Sequence, residues 1–331
     1  MTISGNGSMD DYNDITHRPW NDYCSNVKKI TIESGVTHVS NLAFKDFANL
    51  SSVTIPSSVK SIGYSAFSNC DKLTNVSIQT GLITIGKYAF VSCNNIEEII
   101  IPESVEAIGS GAFMNCSSLI SVNIPKWVTY IDSDLFSGCS SLNSIEIPTR
   151  VTNIGYQAFA GCSGLSSIEL PQSLISIDDW AFSNCNNLAM VSIPEKVNHI
   201  GDYAFYNCTT LSTLFLPKSV NFIGEKAFNS CNSLVLVMSN IINPFKFGSL
   251  AFSTISDKCS LYVPKGTKNS YIASGWTPDV FRGGIFEMDA TDIHQIINNN
   301  SELMYDLKGN RVYDLDTKGI YIINGKKVYV K

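Results

Sequence analysis

The chain has 331 residues, a formal net charge of −6 and only 16% charged residues. No lysine–arginine cluster stands out, which excludes the electrostatic footprint of a nucleic-acid binder, and no apolar run approaches the 18 residues of a membrane span. The length alone suggests two globular domains, but the internal order of the sequence points to one elongated domain with caps.

The opening "MTISGNGSMDDYND" has no apolar signal core, and is read as a mature chain whose signal has been removed. Residues 1–26 are expected to cap the first repeat, with Trp20 and Tyr23 covering its edge. From there to about Pro264 a phenylalanine recurs at Phe44, Phe67, Phe90, Phe113, Phe136, Phe159, Phe182, Phe205, Phe228 and Phe252, at steps of 23 residues and finally 24. A fixed period of this size is the signature of a solenoid. Within one period Val59, Ile62, Ala66, Phe67, Cys70, Leu73, Val76 and Ile78 form the inward set.

Each part of the repeat has its own expected form. Leu-x-x-Val-x-Ile-Pro, as in Leu119 to Pro125, alternates like a strand closed by proline, and stacked copies predict a parallel sheet stepping about 4.8 Å per repeat. A second short extended piece turns at Gly63, Gly86, Gly109, Gly155, Gly201 and Gly224, where a left-handed or tight backbone is expected, with Asp132 and Asp178 in the same slot. The Ala-Phe-x-x-Cys-x-x-Leu part has room for about a turn or two of helix facing the core. The resulting class is an α+β repeat protein, a solenoid of about ten repeats with terminal caps and a small C-terminal β module.

After a last strand at Leu261 to Val263, residues 265–276 read as a short amphipathic helix with Tyr271 and Trp276 in the core, and Gly283–Gly284 as a break. The expected divisions are therefore a cap at 1–26, the solenoid at 27–264, a capping helix and linker at 265–285, and a β module at 286–331, in which Asn324–Gly325 signals a hairpin.

The motif Ile-Gly-x-x-Ala-Phe-x-x-Cys-x-x-Leu-x-x-Val-x-Ile-Pro, seen as "IGYSAFSNCDKLTNVSI" and "IGSGAFMNCSSLISVNIP", resembles the BspA-like leucine-rich repeat family over about Val27 to Pro264. That resemblance implies a secreted or surface-attached protein that binds partners rather than a catalyst. The tail resembles small β modules of exported bacterial surface proteins, some of which are sorting signals. The chain departs from the pattern at Leu135 in place of alanine, at Gln79 in place of proline, and at Ser239 inside the last apolar strand.

Ten cysteines invite a disulfide or metal reading, but eight repeat at 23 from Cys70 to Cys231, Cys24 falls on the same lattice, and Phe47 and Ile255 fill the remaining slots. A slot shared by Cys, Phe and Ile is an apolar packing position. Cys259 is off the lattice and is the expected place for an exposed thiol. His38 and His199 lie seven repeats apart, about 30 Å, and His17 and His294 lack any ligand spacing, so no metal or other cofactor is expected. Glu146 and Glu169 share an outward column about 5 Å apart, the separation of a retaining glycosidase pair, but a flat face offers no enclosure for an acid catalyst.

The drifting positions carry the functional reading. Outward strand residues are bland through Ser144, Glu146, Ser167 and Glu169, then turn apolar at Met190, Phe215, Leu236, Met238 and Tyr262, a patch that is either a ligand surface or the footprint of the C-terminal module. On the turn-rich side Trp180, Tyr203 and Tyr206 converge near His199, a composition suited to protein hot spots or sugar stacking, or to packing between repeats. The expectation is a monomeric, non-enzymatic adhesin-like scaffold, secreted or at a bacterial surface, that recognises a host or matrix protein or a glycan. The alternatives are a carbohydrate-active protein using Glu146 and Glu169, and a structural spacer.

Overall fold

The structure, a computed structural model, describes residues 1–288 and, beyond them, the backbone strands Met304–Asp306, Arg311–Val312, Gly319–Ile323 and Lys326–Val330. Each repeat is one turn of a parallel-sheet solenoid of about 11 turns. A long strand, such as Ser52–Ile55, and a short one, such as Ser61–Ile62, pair with their counterparts 23 residues on, Val53 with Val76 and Ile62 with Ile85. The register thus lays like on like. The ten Phe rings from Phe44 to Phe252 stack along the axis at centroid spacings of 5.2 to 5.9 Å. Trp20 continues that column at one end, and Trp276 and Phe281 at the other.

The expected helical part is absent, so the α+β class is corrected to a β-solenoid whose one described α-helix is Lys268–Ala273. Two residues per turn explain this. The position before Ala-Phe, as in Ser65, Tyr88, Trp180 and Tyr203, and the position before the cysteine, as in Asn69, Asn115, Asn184 and Asn207, have φ between 48° and 61°. A left-handed residue every fourth position cannot carry an α-helix. The intervening amides point instead to the next turn, Ser65 N–H to Lys87 O at 2.9 Å, Phe67 N–H to Ala89 O at 2.8 Å and Asn69 N–H to Val91 O at 2.9 Å. This arc is a third inter-turn ladder, and its bonds hold bulky residues in a conformation that costs each about 1 to 2 kcal/mol.

The recurrent glycines are corrected in the same sense. Gly63, Gly86, Gly109, Gly155, Gly201 and Gly224 are not left-handed. A β-carbon on Gly63 would lie 2.6 Å from Asn41 N, and one on Gly86 2.7 Å from the carbonyl carbon of Gly63. Glycine stands there because the preceding turn is too close for a side chain.

One junction departs from this regularity. The short-strand sheet ends at Ala107–Ile108 and a new one begins at Tyr130–Ile131. Beside it, Glu98–Ile99 pairs with Ser121–Val122, and the next two repeats contribute only isolated bridges, Glu146 with Glu169 and Ser167 with Met190. The same repeat has Asp132 in the glycine slot and buried Leu135 in the alanine slot, and its ring spacing, 5.9 Å from Phe113 to Phe136, is the widest in the column. Asp178 fills the glycine slot and keeps its bond to Ile154 O at 2.9 Å, so the bulk of Leu135 is what distinguishes the open junction.

The ends also differ from expectation. Residues 1–26 are a further turn rather than a cap laid across the stack, since Thr2–Ile3 pairs with Thr31–Ile32 and Gly7–Ser8 with the strand Val36–Val39. Trp20 covers Phe44 and donates to Ala43 O at 2.7 Å, whereas Tyr23 is 61% exposed and covers nothing. The buried Arg18 guanidinium donates to the carbonyls of Leu42, Ala43 and Lys45, to which residues 1–26 bring no backbone amide. At the other end the sheet does not stop at Val263, because Gly284–Met288 adds one more parallel strand beside Ser260–Pro264. Tyr271 and Trp276 are buried as expected, and Tyr271 meets Ser239 Oγ at 2.6 Å, which accounts for the serine in an apolar strand. Gly319–Ile323 and Lys326–Val330 pair antiparallel, with Ile323 opposite Lys326. Asn324–Gly325, the remainder of the expected β module and its sorting role lie outside the described residues. Among the described residues no helix is long and apolar enough to cross a membrane.

Candidate binding surface

Three outward regions can be compared. The first is the long-strand face at the open junction, a groove of about 880 Å³ lined by Glu98, Ile100, Asn123, Glu146 and Glu169 among others. Glu146 and Glu169 are bridge partners on adjacent turns, and both are exposed. Both stand in an open groove rather than an enclosed pocket.

The second region is the apolar patch, and it is corrected. Phe215, Leu236 and Met238 are only 5%, 4% and 1% exposed, and with Met288 they form a small hydrophobic cluster separate from the main core. Met190 and Tyr262 are half-buried. The outward direction of these side chains follows from strand alternation, but the added strand brings Met288 into one cluster with Phe215, Leu236 and Met238 and Phe286 into a stack on Tyr262 at 5.3 Å. Phe215, Leu236 and Met238 are therefore interior, and only Met190 and Tyr262 keep part of their surface.

The third region lies on the corner after the short strand, and here the residues singled out in the sequence do meet. Trp180 and Tyr203 occupy the left-handed column one turn apart, and their rings lie parallel with centroids 4.0 Å apart. Tyr206 stands edge-on to both, at 6.0 Å from Trp180 and 5.6 Å from Tyr203. In the neighbouring column His199 stacks on Phe222 at 4.6 Å, and Phe222 is 43% exposed. The parallel sheet sets this alignment, because residues 23 apart stand one above the other.

Carboxylates run along the same corner. Asp179 Oδ1 accepts the Asp202 amide at 2.7 Å, and Asp202 Oδ1 accepts the Glu225 amide at 2.6 Å, as Asn41 does for Tyr64 near the start of the stack. Burial, and then the nearby Asp132 carboxylate, raise the Asp134 carboxyl above its ordinary range. The Lys226 ammonium lies 5.0 Å from the centre of the Tyr203 ring, donates to its hydroxyl at 2.8 Å and approaches Glu225 at 3.3 Å. Phe222, Lys226 and the acidic ladder are absent from the sequence reading. Their signal was the 23-residue offset from His199, Tyr203 and Asp179, respectively.

The cysteines are buried from Cys70 to Cys231, and each thiol donates to the Phe carbonyl 26 residues earlier, at 3.1 to 3.2 Å. The slot therefore does more than pack. Cys259, expected as the exposed thiol, is buried, and Cys24 is the one described cysteine that is partly accessible. Burial pushes the thiols of Cys116, Cys185, Cys231 and Cys259 up to about 12.

The family profile described as BspA type leucine rich repeat region matches residues 20–143 and 130–257. Among solved structures, a leucine-rich repeat protein from Bacteroides ovatus is 30% identical with a TM-score of 0.62 over 75% of this chain, and the chain spans 65% of its length. The pneumococcal vaccine antigen PcpA is 22% identical, with a TM-score of 0.52 over 80% of this chain and 78% of that one. A leucine-rich cell surface protein from Faecalibacterium prausnitzii is 26% identical, with a TM-score of 0.44 over 81% of this chain and 90% of that one. No curated protein matches the chain.

Proposed function

Because the chain belongs to the BspA-type leucine-rich repeat family, we propose that it is a non-enzymatic binding scaffold, secreted or held at a bacterial surface, that recognises an extracellular protein or glycan through its corner residues. The observation that carries this reading is the Trp180–Tyr203 stack with Tyr206 against its edge. The inward Phe column is complete without these rings, which stand outside it, half-buried against one another across adjacent turns. Aromatic rings of this kind supply most of the affinity at protein and sugar contacts. Thiols that are buried and protonated also suit an oxidising exterior, since they are poor nucleophiles and hard to reach. Hydrolysis by Glu146 and Glu169 is disfavoured by the open groove in which they stand.

The test is capture of immobilised matrix proteins and glycans by the full chain and by a Trp180→Ala, Tyr203→Ala variant. Loss of capture in the variant with unchanged circular dichroism supports the reading; undiminished capture removes the corner from it.

A further inference from the structure

The corner differs from the rest of the surface in charge as well as in aromatic content. Between Thr129 and Lys226 the short strands and their corners carry Asp132, Asp134, Asp178, Asp179, Asp202 and Glu225 against Lys226 as the one ammonium. That is a local excess of five negative charges along the corner. Interleaved with the carboxylates are Tyr130, Tyr156, Trp180, Tyr203 and Phe222, of which Tyr130, Tyr156 and Phe222 are 39%, 45% and 43% exposed.

Lys226 shows what such a face holds. Its ammonium sits at the hydroxyl edge of Tyr203, donating to that hydroxyl at 2.8 Å with Glu225 beside it at 3.3 Å. One turn below, Trp180 has the same neighbours in kind, with Asp179 and Asp202 beside it, but Gln157 rather than a cation follows it in the column. A cation stacked on an aromatic face and flanked by carboxylates is favourable by about 0.5 to 2 kcal/mol, more with guanidinium than with ammonium.

Resting on the scaffold reading above, we infer that the partner of this corner is a basic polypeptide segment, whose arginine or lysine side chains lie against Trp180 and its neighbours and pair with the corner carboxylates, as Lys226 pairs with Glu225 beside Tyr203. A neutral glycan would leave the carboxylates without counter-charge. Charge complementarity therefore selects the protein ligand from the two that the aromatic rings alone admit.

The test titrates the full chain at low salt with a synthetic peptide of alternating arginine and serine, capped at both ends. Trp180→Ala is expected to weaken binding about fivefold or more. Asp202→Asn is expected to weaken it too, while keeping the oxygen that accepts the Glu225 amide, as Asn41 does in the same column. The double variant Glu146→Gln, Glu169→Gln, which removes charge from the other face, is expected to leave binding unchanged. Equal weakening by that variant, or none in Trp180→Ala, would show unspecific attraction and overturn the inference. If a ligand captured on the panel depends on Trp180 while the peptide does not bind, the scaffold reading survives and the basic partner falls. If nothing depends on Trp180, both fall.

Discussion

Cys162 donates its thiol hydrogen to the carbonyl of Phe136, 26 residues earlier and one turn away, at 3.1 Å. Seven other cysteines repeat this bond, which makes the thiols a polar ladder inside an apolar core. Cys162→Val fills the slot but leaves the Phe136 carbonyl one donor short, and is expected to cost about 1 kcal/mol in the guanidinium midpoint. Cys162→Ala adds a cavity and is expected to cost more.

The same thiols set an alkaline limit. Burial raises the titration of Cys93, Cys139, Cys162 and Cys208, and pushes Cys116, Cys185, Cys231 and Cys259 up to about 12, so the stabilising difference is complete below the unfolded value near 9 and is lost as pH rises toward 12. In that window each such thiol lowers stability by about 1.4 kcal/mol per pH unit. Guanidinium midpoints measured from pH 8 to 11 are expected to be flat to about pH 9 and then to fall steeply. In the native chain at pH 8, a thiol reagent is expected to label Cys24 and spare the nine buried cysteines.

The open junction predicts a local difference in amide exchange. The amides of Gly109, Gly155 and Asp178 bond to the preceding short strand, at 2.8 to 2.9 Å, and no corresponding bond joins Asp132 to Ile108. The Asp132 amide is expected to exchange at least about tenfold faster than that of Asp178 in native-state exchange read by NMR. Equal protection of the two would show that the junction is closed in solution.

At the N-terminal end, Arg18 satisfies three carbonyls of the first full repeat. Arg18→Met keeps much of the apolar stem over Phe47 but removes every donor. It is expected to destabilise by about 3 kcal/mol, with fraying confined to residues before about Val53, because each turn of a solenoid contacts only its neighbours. Limited proteolysis with N-terminal sequencing of the product checks this.

What could be read from the sequence follows from what a repeat reveals. Phe159 and Cys162 were legible because a position fixed by packing recurs with the period. Trp180, Tyr203 and Tyr206 were legible as neighbours because a 23-residue offset means stacked turns. The left-handed backbone at Tyr203 was not, because nothing intrinsic to tyrosine favours it; inter-turn amide bonds impose it, and with it the loss of the helix. Met238 pointed outward as alternation required, yet alternation says nothing of what lies over a strand, and the strand ending at Met288 came from a stretch with no repeat motif. Cys259 was misjudged for the same reason, since leaving the lattice does not mean leaving the core.

Trp180 and Phe182 are two residues apart, one outward and one in the stacked column, and they provide the most direct measurement. Thermal unfolding and ligand capture are compared for Trp180→Ala and Phe182→Ala. The account predicts that Trp180→Ala loses capture with a melting temperature close to the parent's, while Phe182→Ala loses about 3 to 5 kcal/mol of stability. A Trp180→Ala chain that melts as low as Phe182→Ala, or that captures ligand as the parent does, would contradict the division of the repeat into a core that holds the stack and a corner that binds.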